Sequence, residues 1–335
     1  MLKMLMFDFK DSEEKYFETN KIPDLDIKFY RHSLNDTIEL DKEDEDNAVI
    51  ISVFITSKIT KNVLDRFKNL QVITTRSTGY NHIDITECKR RNIAVINIGD
   101  YGRKSVAQYT IGIIISMVRN VMISANDVKN RTINYEKYEG RDISKLVLGV
   151  IGTGSIGSAV CKIAHTLGMR ILAYDIVTNR SLLDYVEYVP LNEILSESDI
   201  ITLHIPYNKE NHHIFSKPEF ELMKQGVYII NTARGELIDS LALYNAILSK
   251  KVKGAALDVI ECESLMLDNI EFKDEFRRVS VDCLKNYVIL QKLMSFDNVI
   301  ITPHIAYNTT ESVNKILNIT FTDIKRYFQG YNVSI

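Results

Sequence analysis

The chain has 335 residues, 45% of them hydrophobic and 25% charged, with a formal net charge of -3. That length suits two domains, each large enough to bury its own core, and the near-neutral balance gives no reason to expect nucleic acid or an anionic membrane as partner. The four cysteines, Cys88, Cys161, Cys262 and Cys283, lack any C-x-x-C spacing and are too few to staple a chain of this size, so the sequence favours a reducing cytoplasm and no metal.

The N-terminus, Met1 to Lys10, alternates short apolar and charged residues without a long apolar stretch, the pattern of a first strand and not of a signal peptide. Short β-branched runs follow as strands at Met4 to Phe9, Ile27 to Tyr30, Ala48 to Val53, Val72 to Arg76 and Ala94 to Asn97, with helices at Thr60 to Leu70 and Asp84 to Arg91. Strand and helix alternation of this kind favours a parallel sheet. The acid-rich stretch Asp36 to Asp46 is expected to be a solvated turn. Ser105 to Asn126 is the longest helical candidate and is apolar around much of its circumference, so it must be buried on more than one side, at a domain junction or a subunit interface. No segment reaches the length of a membrane span.

A second alternating series places strands at Leu146 to Ile151, Arg170 to Tyr174, Asp199 to His204, Val227 to Asn231, Ala255 to Val259 and Val299 to Thr302, with a helix at Leu241 to Leu248. Six strands with helical crossovers make a doubly wound sheet. The last helix, Thr310 to Phe328, has no further strand to serve and is free to fold back on the N-terminal part.

Within that series, Val150-Ile-Gly152-Thr-Gly154-Ser-Ile-Gly157 joins a strand to an amphipathic helix. Gly152 permits the tight turn, Gly154 lets a pyrophosphate approach the backbone, and Gly157 lets helix and strand pack closely, with Ser155 and Ile156 at the helix start where free N–H groups meet phosphate. Asp175 ends the next strand about 20 residues on. Its carboxylate would accept from the adenosine ribose hydroxyls and repel a 2′-phosphate, which selects NAD over NADP; Arg180 is the residue that could oppose this.

Ligands of an open α/β sheet bind at the carboxyl ends of its strands, and three chemically competent residues stand there. Arg234, in Asn-Thr-Ala-Arg-Gly, can hold a carboxylate and a carbonyl oxygen through its planar fork, or can serve a structural pair. His304, in Ile-Thr-Pro-His-Ile, can give a proton to a new alkoxide and take it back, or can be a turn residue after Pro303. Glu263 can orient that imidazole and stabilise its charged form, or can be one more surface acid. Together, beside a dinucleotide turn, they read as a hydride-transfer site.

The chain resembles the D-2-hydroxyacid dehydrogenase family, and within it the D-lactate dehydrogenases, including the vancomycin-resistance type. The resemblance rests on Arg76-Ser-Thr-Gly-Tyr-Asn-His-Ile-Asp84, Tyr101 with Ser105-Val-Ala-Gln, the glycine turn, Asp199-Ile-Ile-Thr-Leu-His-Ile-Pro206, Met223-Lys-Gln-Gly, Ile230-Asn-Thr-Ala-Arg-Gly235, Ala255-Ala-Leu-Asp-Val-Ile-Glu-Cys-Glu263 and Thr302-Pro-His-Ile-Ala-Tyr307. It implies an α/β chain of two Rossmann-like domains. A doubly wound NAD domain, 103–304, is inserted into a smaller flavodoxin-like substrate domain, 1–102 plus 305–335, with the site in the cleft.

It further implies that Arg234 binds substrate and that Glu263 and His304 form the acid-base pair. His204, Pro206, Thr232, Ala233, Asp258 and His304 join the glycines around NAD, with Asp258 arranging the nicotinamide end. Ser77, Thr78 and Gly79 would offer backbone N–H groups to the substrate carboxylate. Tyr101 and Tyr307 would line the pocket, although either can equally be a core aromatic. Apart from that implication, His204, like His212 and His213, reads as a structural or surface residue.

Two departures from the family stand out. Gln108 replaces an acid found in many relatives, and the long stretch Ser264 to Met294 is expected to reshape the site rim. The expected reaction is reduction of pyruvate, or another short 2-keto acid, to the D-hydroxy acid by NADH in a cytoplasmic homodimer. Larger keto acids, glycerate and phosphoglycerate are alternative substrates, and an NAD-sensing corepressor is the alternative from another class.

Overall fold

The computed structural model describes residues 1–20, 22–99, 101–263, 265 and 280–335. The described chain forms two compact units, Met1–Tyr101 with Asn308–Ile335, and Gly102–Tyr307.

The first unit is built on parallel strands β1 (Leu2–Met6), β2 (Leu25–Phe29), β3 (Ile50–Val53), β4 (Val72–Thr75) and β5 (Ala94–Asn97), in the order β2-β1-β3-β4-β5. That is the flavodoxin-type doubly wound order. Strands β3 and β4 are buried at every residue, as a parallel sheet covered on both faces requires. One face packs Leu5, Phe7, Ile51, Ile73 and Val95 against helical residues Val63 and Leu64. The other packs Met4, Met6, Ile50, Val72 and Ile96 against Leu317, Phe321 and Ile324 of the last helix, Thr310–Phe328. The C-terminal helix therefore returns to the N-terminal strands because its apolar stripe completes their second face.

The acidic stretch differs from expectation. Asp36, Glu39 and Asp41 are exposed outside any helix or strand, but Lys42–Asn47 is a short helix in which Asp44 and Glu45 are buried, so this end is no solvated turn. Asp44 bonds Lys3, Lys28 and the Tyr30 hydroxyl. Burial works against its ionised form, but the two lysines and the tyrosine override it and hold the carboxyl down to about 2. Asp44→Asn should therefore cost on the order of 2 kcal/mol at neutral pH. For a depressed carboxyl, this contribution is complete above the ordinary aspartate value and fades as the pH falls from there through about 2. Urea unfolding at pH 7 and pH 2.5 checks it: the gap between the variant and the natural chain should be complete at the first and shrink to roughly a third at the second.

The second unit carries β6 (Val147–Ile151), β7 (Arg170–Tyr174), β8 (Glu187–Tyr188), β9 (Ile200–Leu203), β10 (Val227–Asn231), β11 (Val252–Leu257) and β12 (Val299–Ile301), all parallel, in the order β12-β11-β10-β9-β6-β7-β8. Strand β8 is the member absent from the six expected; two residues are too few to show a period. The chain reverses direction across the sheet between β6 and β9, which makes their carboxyl ends the switch point where such sheets take ligands.

The expected helix Ser105 to Asn126 is two helices, Arg103–Val118 and Val121–Asn130, because Asn120 takes a left-handed conformation, φ 54°, that ends the first and turns the chain. The first packs Ile111, Ile114 and Met117 into the unit core; the second buries no residue. Among the described residues, no single helix is long and apolar enough to cross a membrane. Of the stretch Ser264 to Met294, residues 264 and 266–279 lie outside the described residues. Val281–Met294 is a helix anchored in the core by Leu290 and Leu293. The cysteines also depart from expectation, since Cys262 and Cys283 are joined by a disulfide while Cys88 and Cys161 are free and buried.

Candidate functional site

The glycine turn occupies the switch point. Gly152 follows β6 with φ 93°, and a Cβ there would stand 2.6 Å from the His204 carbonyl oxygen at the end of β9. At Gly157, a Cβ would overlap the Gly152 carbonyl oxygen, so helix Ser155–Thr166 crosses the turn at backbone contact. Gly154 differs from both: nothing lies within 4 Å of the Cβ it lacks, and as N-cap it has no side chain to occupy the helix start. Open space over Gly154, beside first-turn N–H groups with no helical acceptor, is the cradle that a pyrophosphate fits.

Asp175 is fixed from beneath. One of its oxygens accepts from the Thr153 N–H at 2.6 Å and the Thr153 hydroxyl at 3.1 Å, and the other from the Val177 N–H at 3.2 Å. A carboxylate has about four acceptor positions, so capacity for ribose hydroxyls is left. Tyr188 donates to the Thr153 hydroxyl at 2.8 Å. Sequence reading missed Thr153 and Tyr188, although a hydroxyl between the first two glycines is where a strand-end acid would find a donor.

Around the turn, desolvation of the His204 ring holds its imidazole far below the usual range and therefore neutral, although part of the residue reaches the surface. Its Nε2 lies 2.9 Å from the Thr202 hydroxyl. Pro206 is exposed, with its carbonyl held by the Asn211 amide. The Thr232 hydroxyl meets that of Thr110 at 3.1 Å, and the Ala233 N–H donates to Asn231.

Arg234 leaves the end of β10. Its guanidinium donates to the Ala233 carbonyl at 2.6 Å and makes no ion pair among the described residues. A Cβ on Gly235 would overlap the backbone of Ile260 and Glu261, so the loop of Arg234 rests directly on the loop that carries Glu263. There, Glu263 Oε2 lies 2.9 Å from His304 Nδ1, and both side chains are about one-fifth to one-quarter exposed. With Nδ1 turned to the carboxylate, Nε2 is the nitrogen left for a ligand.

His304 stands in the left-handed region, φ 52°, which a side chain rarely adopts. Asp258, 2% exposed, holds it there. Its carboxylate accepts from the Thr302 hydroxyl at 2.6 Å and from the N–H groups of Ile305 and Ala306 at 2.9 Å each, and the His304 N–H donates to the Asp258 carbonyl. In this structure Asp258 braces the histidine loop. Tyr307 is buried, its ring edge-on to His304 at 6.5 Å.

His212, His213 and Glu261 place ligand atoms within 4.8 Å of one another. Glu261 spends one oxygen on His213 at 2.8 Å and the other on the Asn286 amide at 2.7 Å, so the group is closed by its own hydrogen bonds.

In the first unit, Ser77, Thr78 and Gly79 follow β4, and none of their backbone N–H groups has an acceptor among the described residues. The loop is held from both sides. Buried Arg76 donates to the carbonyls of Phe7 and Asp8 and to Ser52, and Asn97 donates to the Thr78 carbonyl. Successive free N–H groups make an anion-binding concavity. Tyr101 is half-buried in this unit, and Gln108, in the second, is exposed.

Comparison with known proteins agrees with this geometry. Residues 111–306 match the family described as D-isomer specific 2-hydroxyacid dehydrogenase, NAD binding domain. The chain is 40% identical over 268 residues to a D-specific alpha-keto acid dehydrogenase of Enterococcus faecium, covering 78% of each. It is 35% identical over 280 residues to an aromatic 2-oxoacid reductase of Clostridium sporogenes, covering 83% of this chain and 82% of the relative. Its fold matches a crystal structure of D-lactate dehydrogenase from Aquifex aeolicus, complexed with NAD and lactic acid, with TM-score 0.84 and 35% identity over 98% of this chain and 96% of that one. The match spans both the dinucleotide turn and the Arg234, Glu263 and His304 loops, and the chain belongs to the D-isomer specific 2-hydroxyacid dehydrogenase family, NAD-dependent oxidoreductases acting on the CH–OH group of D-2-hydroxy acids.

Proposed function

We propose that this enzyme reduces short 2-keto acids, pyruvate first, to the D-2-hydroxy acid, with Arg234, Glu263 and His304 as its catalytic residues. The observation that carries the reading is the Glu263–His304 pair, 2.9 Å apart, with the Glu263 loop in backbone contact through Gly235 with the loop of Arg234, which makes no ion pair among the described residues. Arg234 binds the carboxylate and carbonyl oxygen of the substrate through its fork. Bound NADH supplies the hydride. His304, protonated on both nitrogens, gives the Nε2 proton to the forming alkoxide, while Glu263 on Nδ1 stabilises the charge that the imidazolium carries beforehand and fixes the ring orientation. In the oxidative direction the neutral imidazole takes the same proton back.

The cofactor contacts we propose are Gly152, Gly154, Ser155, Ile156 and Gly157 to the pyrophosphate and Asp175 to the ribose. Asp258, His204, Pro206, Thr232, Ala233 and His304 complete them. Thr78 and Gly79 contribute N–H groups to a substrate carboxylate, and Tyr101 and Tyr307 aromatic surface. On this reading Met1–Tyr101 with the last helix is the substrate unit. The enzyme is also proposed to be a cytoplasmic homodimer. Val121, Met122 and Val128, each about half exposed on the short helix after the Asn120 turn, are its apolar face.

A panel of 2-keto acids of rising size, followed by NADH oxidation, tests the substrate. Pyruvate should give the highest kcat/KM, with 2-ketoisocaproate and phenylpyruvate at least tenfold lower, a difference of about 1.4 kcal/mol in transition-state binding. A preference for phenylpyruvate would instead place this enzyme with reductases of aromatic keto acids.

A further inference from the structure

The Cys262–Cys283 pair stands beside the acid-base residues, and the mechanism above does not use it. Cys262 lies between Glu261, which bonds His213 and Asn286, and Glu263, which bonds His304. It takes a left-handed conformation, φ 56°, that a side chain rarely adopts and that persists where surroundings over-determine it. Part of what over-determines it comes from one helix face. Cys283, Asn286, Leu290 and Leu293 follow one another at spacings of three, four and three in Val281–Met294 and so share a side. Leu290 and Leu293 are buried in the core, Asn286 donates to Glu261 at 2.7 Å, and Cys283 is joined to Cys262 with the Cα atoms 5.7 Å apart.

A tether therefore runs from the core through that helix to the residue preceding Glu263. Without the covalent link, the loop is still held at Glu261 by His213, Asn286 and the Gly235 backbone, but apart from His304 the Glu263 side chain itself is held only by a long 3.3 Å bond from the Ile260 N–H among the described residues. The two cysteines are half-buried and reachable by a small thiol, whereas Cys88 and Cys161 are enclosed, with thiols pushed up to about 11 and about 12 by burial.

We propose that Cys262 and Cys283 form a redox modification site, in which a low-molecular-weight disulfide closes the pair and a low-molecular-weight thiol opens it, and that closure holds Glu263 against His304. This coupling rests on the Glu263–His304 reading above. One cysteine thiolate attacks the small disulfide, forming a mixed disulfide and releasing one small thiolate. The second cysteine then attacks the protein-bound sulfur of that mixed disulfide and expels the other. The cysteines are oxidised by two electrons, the small disulfide is reduced to two thiols, and the protons lost by the cysteines go to them.

The test equilibrates the full-length enzyme in oxidised or reduced glutathione and then counts thiols after denaturation. It also measures kcat and KM for pyruvate and NADH, and amide exchange of the peptide 258–263. We expect two titratable thiols in the oxidised form and four in the reduced. On reduction, exchange should rise and kcat should fall roughly tenfold, below the ~100-fold that a 1 Å misplacement costs, with KM for NADH unchanged. Cys283→Ser should have the reduced enzyme's kcat in both buffers. Four thiols in both buffers, unchanged exchange and kcat on reduction, or a Cys283→Ser enzyme as active as the oxidised one would overturn the proposal. If no 2-keto acid is reduced in either state, the catalytic reading fails, and the thiol count and amide exchange still decide whether the pair forms and whether it holds the loop.

Discussion

His304→Ala should lower turnover of pyruvate by roughly 100 to 10,000-fold, the range that general acid catalysis supplies, with NADH affinity within a few-fold of the natural enzyme. The split follows from the geometry. The side chain removed is the one that meets Glu263 at 2.9 Å, whereas the backbone of the loop is held separately, by Asp258 on the N–H groups of Ile305 and Ala306. The Asp258 bonds to the loop backbone therefore survive the substitution, although alanine adopts the left-handed conformation less readily than histidine. Steady-state kinetics together with NADH fluorescence titration read the two quantities independently. Near-normal turnover would remove His304 from the chemistry. Lost NADH binding would show that the ring, and not only the backbone, shapes the cofactor site.

The second large effect is expected at the glycine turn, where two substitutions of equal size should fail differently. In Gly157→Ala the new methyl would overlap the Gly152 carbonyl, a backbone atom that cannot swing aside, so the helix must shift off the turn. Overpacking of this kind costs on the order of 1 to 3 kcal/mol, and the displaced turn should weaken NADH binding by roughly tenfold or more. In Gly154→Ala the methyl enters space where no protein atom lies within 4 Å. Its Tm should remain near that of the natural chain, while NADH binding falls because the methyl occupies the room a pyrophosphate needs. Calorimetry with and without NADH separates the cases. Equal loss of Tm in both variants, or intact NADH binding in Gly154→Ala, would contradict the assignment of that space.

Much of this was legible before any coordinates. The glycine turn and Asp175 are local in sequence, so their spacing is their geometry, and parallel buried strands such as Val227–Asn231 announce themselves as unbroken apolar runs. The helix Thr310–Phe328 was delimited to the residue because Thr309 caps it and its apolar stripe is regular. What escaped reading depends on tertiary partners or single backbone angles. Asn120 breaks a continuous apolar helix by one left-handed residue. Asp44 and Glu45 look like solvent-facing acids until Lys3, Lys28 and Arg66 arrive from distant segments. Asp258 shows only as an acid at a strand end, although its carboxylate holds the histidine loop through bonds more than forty residues away in sequence. The Cys262–Cys283 pairing has no spacing signature, since it depends on where a helix places Cys283.

The most direct test of the central claim, that this site delivers hydride to one face of a 2-keto acid with His304 as proton donor, is the configuration of the product. Pyruvate should be reduced with NADH by the natural enzyme and the lactate resolved by chiral chromatography. The account predicts D-lactate as essentially the sole product, formed in step with NADH oxidation and at least roughly 100-fold more slowly in His304→Ala. L-lactate, a racemic mixture, or NADH oxidation at a near-natural rate without His304 would contradict it.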